Sequence, residues 1–274
     1  MDVTDLQGRL ASYFDEFQKS LATTTGDWVV KGFIDIYRNI YTVSVDTKVV
    51  SKIIELMLFP MISRFAIQNG YRLVLGEHQN HYPDISFIAP DETKIAVDIK
   101  STYRTGPQTV NGFTLGAFTG YFRQRRSNKN VTFPYEQYAK HFVLGVVYSR
   151  SDELDDERRV YTLDELQNIV SVVKNFTFLL QEKWRIAGDQ PGSGNTKNIG
   201  SVRSIPMLVA GEGPFAAYGE SVFDDYWMNY LTLDMARAIE SDVPYSNLAG
   251  YFKWRDRGRL NSSGIDDDRG AMVL

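Results

Sequence analysis

The stretch from Asp84 to Lys100 restricts the fold of this 274-residue chain more than any other. It predicts two strands joined by a turn at residues 90–93. Side chains alternate between the faces of a strand, so we expect Asp98 and Lys100 on one face, opposite their apolar neighbours. If the strands pair as a hairpin, Asp84 lies close to Asp98. Two carboxylates and one lysine are then expected to converge at one end of a sheet.

This set of side chains has a definite chemistry. Carboxylate oxygens bind a hard divalent cation such as Mg²⁺, and a neighbouring ammonium can orient a water or stabilise phosphate charge. The order Pro-Asp, then Asp-x-Lys, is typical of metal-dependent nucleases. A purely structural interpretation stays open from the motif alone, because Pro-Asp is a common turn dipeptide and Asp-x-Lys a common exposed strand pair.

The composition narrows the kind of site. With 43% hydrophobic residues the chain can build a core, as one large domain or two. The absence of cysteine excludes disulfides, thiolate nucleophiles and Cys-rich zinc sites, and three histidines are too few for most His-based centres. No apolar run approaches the roughly 20 residues of a membrane span, and the N-terminus lacks the pattern of a signal peptide. We therefore expect a cytoplasmic protein with a carboxylate metal site and no membrane partner.

The net charge of −4 argues against indiscriminate binding of nucleic acid, which depends on neutralising phosphates. The charge is unevenly distributed, however. Basic residues cluster at 123–129 and at 253–259, whereas acidic residues cluster at 152–157 and 266–268. Local basic patches can coexist with an acidic total. Basic runs are usually solvated faces, and phosphate contact is the better expectation where such a run follows a nuclease core.

The hydrophobic pattern predicts alternating helices and strands. Helices are expected at 2–23 and 220–239, and a third is expected to begin at an N-cap on Asp46, contain Pro60 and end near Gly70. Strands are expected within 28–44, 142–149 and 170–184. This mixture predicts an α/β fold.

Several sequence stretches carry a family resemblance. Residues 79–84, 94–103 and 113–116, followed by 186–189, 192–196 and 198–201, resemble EcoRV-like type II restriction endonucleases of the PD-(D/E)xK superfamily, and the likeness runs from about Leu6 to about Arg259. It implies a restriction-endonuclease-like core with a mixed central sheet flanked by helices. A single domain over 1–260 is expected, with dimerisation elements in its N-terminal third, a DNA-recognition loop at 188–201 and a flexible tail at 261–274.

The resemblance also implies site residues. It makes Asp84, Asp98, Lys100 and Glu55 catalytic, with Asp84, Asp98 and Glu55 as ligands of Mg²⁺. For Glu55 a second interpretation stays open, since an acid within an apolar helical run is usually a surface residue at the edge of the apolar stripe.

A larger set of residues is expected to contact DNA. The set comprises Gln79, Asn80, Ser101, Thr102, Lys129, Gly192, Ser193, Gly194, Asn195, Thr196, Lys197, Arg255 and Arg257. Within it, Asn195 has an amide that can pair with adenine N6 and N7 together in the major groove. The chain departs from the family at His78, where the family has glutamine, so contacts specific to that position are not carried over.

The function implied is Mg²⁺-dependent cleavage of both strands of a palindromic DNA site, GATATC cut at its centre, with 5′-phosphate and 3′-hydroxyl products. The enzyme is expected to be a homodimer, with a DNA methyltransferase as a functional partner. Two alternatives stay open. A repair or junction-resolving nuclease would lack a base-reading loop, and a non-catalytic DNA-binding protein would have lost Asp84, Asp98 or Lys100.

Overall fold

A computed structural model describes residues 3–78, 80–152, 158–192 and 196–263. The helices are α1 (Val3–Ala11), α2 (Phe14–Leu21), α3 (Thr47–Gln68), α4 (Lys183–Ile186), α5 (Ile205–Ala210), α6 (Glu220–Asn229), α7 (Leu233–Ala238) and α8 (Leu248–Ser263). The strands are β1 (Gly32–Ile34), β2 (Ile40–Thr42), β3 (Arg72–Leu75), β4 (Ile85–Ile88), β5 (Lys94–Gly106), β6 (Thr109–Val110), β7 (Thr114–Ala117), β8 (Tyr138–Arg150), β9 (Val160–Tyr161), β10 (Val173–Glu182), β11 (Ala187–Pro191) and β12 (Asn198–Ser201).

The central sheet is mixed. Its strands lie in the order β10-β8-β5-β4-β3, and β6 pairs with the far end of β5. Strands β5 and β8 are parallel, whereas the β3/β4, β4/β5 and β8/β10 pairs are antiparallel. The predicted α/β fold, with a mixed central sheet flanked by helices, is confirmed.

Both faces of the sheet are buried. On β5 and β8, Val97 and Leu144 point into an N-terminal core that is covered by α1, α2 and α3, while Ala96 and Val143 point into a second, aromatic core. The aromatic core includes Phe118, Phe122, Phe215, Tyr226, Trp227 and Tyr251. Because both faces are covered, the middle strands carry apolar side chains on both faces, as in Ile95–Val97 of β5 and Phe142–Val147 of β8.

Helix α3 forms as the sequence predicts. The Asp46 side chain caps it by accepting hydrogen bonds from the backbone N–H groups of Lys48 and Val49 at 2.8 and 3.3 Å. The helix continues through Pro60 and ends before Gly70, which has a φ of +73° that suits glycine. One side of α3 packs against the sheet, so its opposite edge is available to line a site.

The single helix predicted over 2–23 is wrong. The chain breaks between α1 and α2 at Ser12 and Tyr13, where the Tyr13 ring packs edge-on against Phe65 of α3 at a centroid distance of 5.2 Å. Packing against α3 therefore overrides the continuous helical periodicity.

The helix predicted over 220–239 is likewise two helices, α6 and α7. Thr232 starts α7 by accepting a hydrogen bond from the Met235 N–H at 3.2 Å, and the Tyr230 carbonyl accepts one from Arg123. The Met235 N–H and the Tyr230 carbonyl would each pair with a backbone group within one continuous helix. The break between α6 and α7 instead leaves them to side chains.

Two further segments bear on the predictions. Strands β1 and β2 lie within the predicted strand region 28–44 and form a small separate sheet with the distant strand β9. Helix α8 extends to Ser263, into the predicted tail, and residues 264–274 lie outside the described part of the chain. Among the described helices, none is long and apolar enough to cross a membrane.

Candidate active site

Asp84 and Asp98 meet where β4 leaves the loop before it. Pairing of Ile85 with Val97 fixes the register of the hairpin, so Asp84 lies opposite Asp98. The Asp84 backbone N–H donates to Asp98 Oδ1 at 3.1 Å, and the Ile99 N–H donates to Asp84 Oδ2 at 2.8 Å. Each carboxylate is thus held by a backbone group of the opposite strand.

Lys100 joins the two acids. Its Nζ lies 3.1 Å from Asp84 Oδ2 and 3.2 Å from Asp98 Oδ2. The three side chains differ in exposure, since Asp98 is buried and the other two are half-buried. The structure therefore brings together Asp84, Asp98 and Lys100, which we call the acid pair and its lysine.

Burial and mutual repulsion perturb the acid pair. Burial, with the charge of Asp98 added to it, raises the pKa of Asp84 to about 6 in spite of the nearby Lys100. Burial alone would lower the pKa of Lys100, but the two carboxylates outweigh it and hold that pKa above its ordinary value. The site thus concentrates more negative charge than its single lysine offsets.

Glu55 lines the same cavity as Asp84, a space of about 540 Å³ between α3 and the loop before β4. Its carboxylate does not join the acid pair. It forms an ion pair with Lys52, one turn earlier on α3, with Nζ and Oε1 2.7 Å apart. Over the residues described, no three His, Asp or Glu side chains gather as a metal-binding group. The predicted set of three carboxylates is therefore not assembled in this conformation.

Comparison with known proteins accounts for this geometry. The family model "Restriction endonuclease EcoRV" matches residues 24–256. The chain is also 38% identical to the type II restriction enzyme EcoRV of Escherichia coli over 249 residues, covering 90% of this chain and 95% of that enzyme. The chain belongs to the EcoRV restriction endonuclease family. Membership confirms the predicted resemblance and the predicted enzyme class, a type II restriction endonuclease.

The acid pair of this EcoRV-family chain suits a hard divalent cation. The two converging carboxylates offer only oxygen atoms as ligands. Burial, and next the charge of Asp98, raise the pKa of Asp84, and a bound cation would favour its ionised form. The buried His141 is already engaged, because its Nδ1 lies 2.8 Å from the Tyr82 hydroxyl. Asp84 and Asp98 are thus the residues that could hold the cation.

The hydroxyls after the acid pair lie on opposite faces of β5. Ser101 faces α3, where its Oγ lies 2.6 Å from Oγ of Ser51, a residue of the cavity wall. Thr102 faces the aromatic core and is only 3% exposed. Strand alternation therefore places the Ser101 and Thr102 hydroxyls on opposite faces. The burial of Thr102 argues against the DNA contact predicted for it.

The basic segment 123–129 has two arginines that are turned inward and two cations that are exposed. Arg123 donates to the carbonyls of Trp227 and Tyr230, and Arg125 pairs with Asp224 at 2.7 Å. Lys129 is exposed. Arg123 and Arg125 stabilise the protein's own fold, which corrects the expectation of phosphate contact for them. Arg126 is exposed and pairs with Glu136 at 3.2 Å, and DNA contact by Lys129 stays a prediction.

The predicted recognition loop is a hairpin. Strands β11 and β12 pair antiparallel, and β12 also pairs with β7. Gly192 and Gly200 allow the two arms to approach closely, since a Cβ on Gly200 would lie 2.6 Å from the Gly192 Cα. Lys197 is exposed, Thr196 is half-buried, and the predicted contacts Ser193, Gly194 and Asn195 lie outside the described residues.

The loop before the acid pair lines the cavity as well. His78 and His81 contribute to its wall, and their rings lie edge-to-face at 4.9 Å. Asn80 is exposed, and Gln79 lies outside the described residues. His78, for which the resemblance predicts a departure from the family, is thus part of the cavity that contains Asp84.

The C-terminal basic residues differ in exposure. Arg255 is half-buried, and its guanidinium stacks 4.8 Å from the Phe252 ring centre and 5.5 Å from that of Tyr251. Arg257 is exposed on α8. Arg255 therefore packs against the protein, and Arg257 presents its charge to solvent.

The sequence analysis missed two groups of residues. Lys48, Ser51 and Lys52 of α3 contribute two ammonium groups and a hydroxyl to the wall of the cavity that also contains Asp84. A layer of stacked rings, the aromatic layer, lies behind the acid pair and consists of Tyr82, Tyr121, Tyr135 and His141. The only sequence signal for it is the density of aromatic residues over 118–142.

Proposed function

We propose that this chain is a Mg²⁺-dependent restriction endonuclease that cuts both strands of GATATC at the centre, giving blunt ends. The observation that carries the proposal is the acid pair with Lys100 bridging it, in a chain of the EcoRV family. The hairpin β11–β12 supports the choice of site, because residues 192–196 and 198–201 match the family's recognition segment.

In this proposal Asp84 and Asp98 hold the cation, and Glu55 is an auxiliary ligand once its carboxylate leaves Lys52. When bound, Mg²⁺ supplies Lewis-acid polarisation of the scissile phosphate and of the attacking water. Lys100, about 3 Å from both acids, orients that water and stabilises negative charge that develops on the phosphate. Water adds at phosphorus as the bond to the 3′ oxygen breaks, leaving 5′-phosphate and 3′-hydroxyl ends.

The DNA contacts divide by role. Lys129, Lys197 and Arg257 are exposed cations suited to phosphates, with Arg255 as a weaker contributor because its guanidinium is stacked on aromatic rings. Asn80 and Gln79 are proposed to reach the minor groove, and Ser101 to support the cavity wall. Base reading is assigned to Asn195 with its neighbours Gly192, Ser193, Gly194 and Thr196.

A homodimer is part of the proposal, because two identical subunits read a palindrome symmetrically. Support comes from the small sheet β1-β2-β9, where a group of large apolar side chains is exposed, which we call the apolar patch. It consists of Phe33, Ile34, Ile36, Tyr37, Tyr41, Val160 and Leu163, with Ile36 at 89% and Tyr37 at 79% exposure. Large apolar side chains exposed in this number on one small sheet and its flanking turns suit contact with a second copy of the chain.

Digestion of a sequenced plasmid tests the proposal. Purified protein with Mg²⁺ should cut only at GATATC, and sequencing of the ends should show blunt termini. Staggered ends or cleavage elsewhere would refute the specificity and leave the nuclease assignment standing. Asp98→Ala and Lys100→Ala should each abolish cleavage while the protein stays folded, and wild-type cleavage by either variant would refute the proposed chemistry. A cytoplasmic location and a protecting methyltransferase complete the proposal.

A further inference from the structure

Lys183 is a buried cation that the proposed chemistry does not use. It is the first residue of α4, between β10 and the hairpin β11–β12, and it is 2% exposed. Among the residues described, its Nζ has no hydrogen-bond partner. A buried ammonium without such a partner disfavours folding, so an apolar residue of similar size would be tolerated at this position.

Aromatic rings surround this ammonium. Its Nζ lies 4.9 Å from the ring centre of Tyr82, 5.6 Å from that of Tyr135 and 5.8 Å from that of Phe122. Attraction to the ring faces offsets part of the cost of burial. Gly116 of β7 lies against the same group, because a Cβ there would clash with the Tyr121 hydroxyl at 2.7 Å and would contact the Nζ at 3.6 Å.

The same rings adjoin the acid pair. Tyr82 is two residues before Asp84 in the chain, stacks on Tyr121 at 4.9 Å, and pairs through its hydroxyl with His141. Burial lowers the pKa of Lys183 to about 8, and the charge of Asp98 opposes that shift. Lys183 therefore interacts with the segment that carries Asp84 through a ring, and with Asp98 through its charge.

We propose that Lys183 is a positioning residue that connects the hairpin β11–β12 to the acid pair through Tyr82. The ammonium lies at the base of the hairpin. Its contact with the Tyr82 ring holds in place the backbone that leads from Tyr82 to Asp84. Displacement of the hairpin on DNA is thereby transmitted to the carboxylates. This inference rests on the proposed function, since it assumes that Asp84 and Asp98 hold the catalytic cation.

The test is Lys183→Met, which keeps the length of the side chain and removes the charge. Lys140→Met is the matched control: Lys140 lies on the adjacent strand β8, is partly exposed, and pairs with Glu182 at 3.0 Å. For each protein we would measure the dissociation constant for a duplex that the wild-type protein cuts, the single-turnover cleavage rate with Mg²⁺, and the unfolding temperature. Lys183→Met should slow cleavage by about 10- to 100-fold through misplacement of the carboxylates. Its DNA affinity should be unchanged, and its unfolding temperature equal to or above that of wild type.

Three outcomes would overturn the inference: wild-type cleavage by Lys183→Met, a rate loss matched by lost stability or affinity, or an equal rate loss in Lys140→Met. A double-mutant cycle with Tyr82→Leu adds a second criterion. If Lys183 acts through Tyr82, the rate losses of the single variants should not multiply in the double variant, and fully multiplicative losses would also overturn the inference.

Asp98→Ala separates this inference from the proposed function. Active Asp98→Ala refutes the proposed function, whereas inactive Asp98→Ala beside a fully active Lys183→Met refutes this inference alone.

Discussion

Replacing Asp84 by asparagine should stabilise the protein at neutral pH while it damages the active site. The carboxyl titrates near 3.8 in an unfolded chain and near 6 in the folded protein. Between those values the folded state binds the proton more tightly, so the free energy of unfolding falls as the pH rises. Above pH 6 the loss of free energy of unfolding caused by the Asp84 charge is constant. The pKa shift from 3.8 to about 6 corresponds to about 3 kcal/mol.

Asparagine keeps the shape of the side chain and can still accept the hydrogen bond from the Ile99 N–H, but it carries no charge. Lys100 keeps its other partner, Asp98. Asp84→Asn should therefore raise the free energy of unfolding by up to about 3 kcal/mol at neutral pH, or the unfolding temperature by roughly 6–12 °C. Near pH 4, where the wild-type carboxyl is mostly protonated in the folded state, the gain should largely disappear.

Thermal unfolding of both proteins, followed by circular dichroism at equal concentrations in EDTA, measures this difference. Asp91→Asn is the control, because Asp91 lies in the turn of the same hairpin and its pKa is lowered by the Thr93 N–H. That variant should gain no stability at neutral pH. Loss of stability in Asp84→Asn at neutral pH, or the same gain near pH 4, would refute a burial penalty on Asp84.

Three further predictions concern the proposed function. Lys129→Ala should weaken binding to all duplexes alike and lower the slope of log affinity against log salt by about one. Asn195→Ala should reduce discrimination at one base position by about 1–3 kcal/mol. Anisotropy titrations would contradict this if both variants lost affinity equally for all duplexes. Ile36→Asp in the apolar patch should shift sedimentation from dimer to monomer, while Ile67→Asp, also exposed at 76%, should not, and dimers in both would remove the patch from the interface. Cleavage at low Mg²⁺ should fall below about pH 6, with the fall moving to lower pH as Mg²⁺ increases because cation and proton compete for Asp84; a fall independent of Mg²⁺ would contradict this competition.

The parts of the site that local pattern determines were predictable from the sequence. Strand alternation and one short turn suffice to bring Asp84, Asp98 and Lys100 together. The N-cap at Asp46 and the course of α3 follow from equally local rules. These features depend on residues within about 20 positions of one another, where sequence periodicity is informative.

The features that were wrong or missed depend on distant partners. Arg123 and Arg125 sit in a basic run, yet their partners lie about 100 residues later, on and after α6, and only the fold reveals them. Thr102 is two residues from Lys100 on the same face of β5, but the aromatic core covers it and not Lys100. Lys183 gives no local sign of burial. Tertiary packing decides each of these positions, and a single sequence does not report it.

The two backbone hydrogen bonds that cross between the acids make the site a reporter of local opening. Asp84 N–H is protected only while Asp98 accepts it, and Ile99 N–H only while Asp84 does. Amide hydrogen exchange at these two residues therefore measures the population of molecules in which the carboxylates have separated, even when the rest of the sheet stays closed. The fraction of protein in which the two carboxylates stay together can thus be followed at two amides.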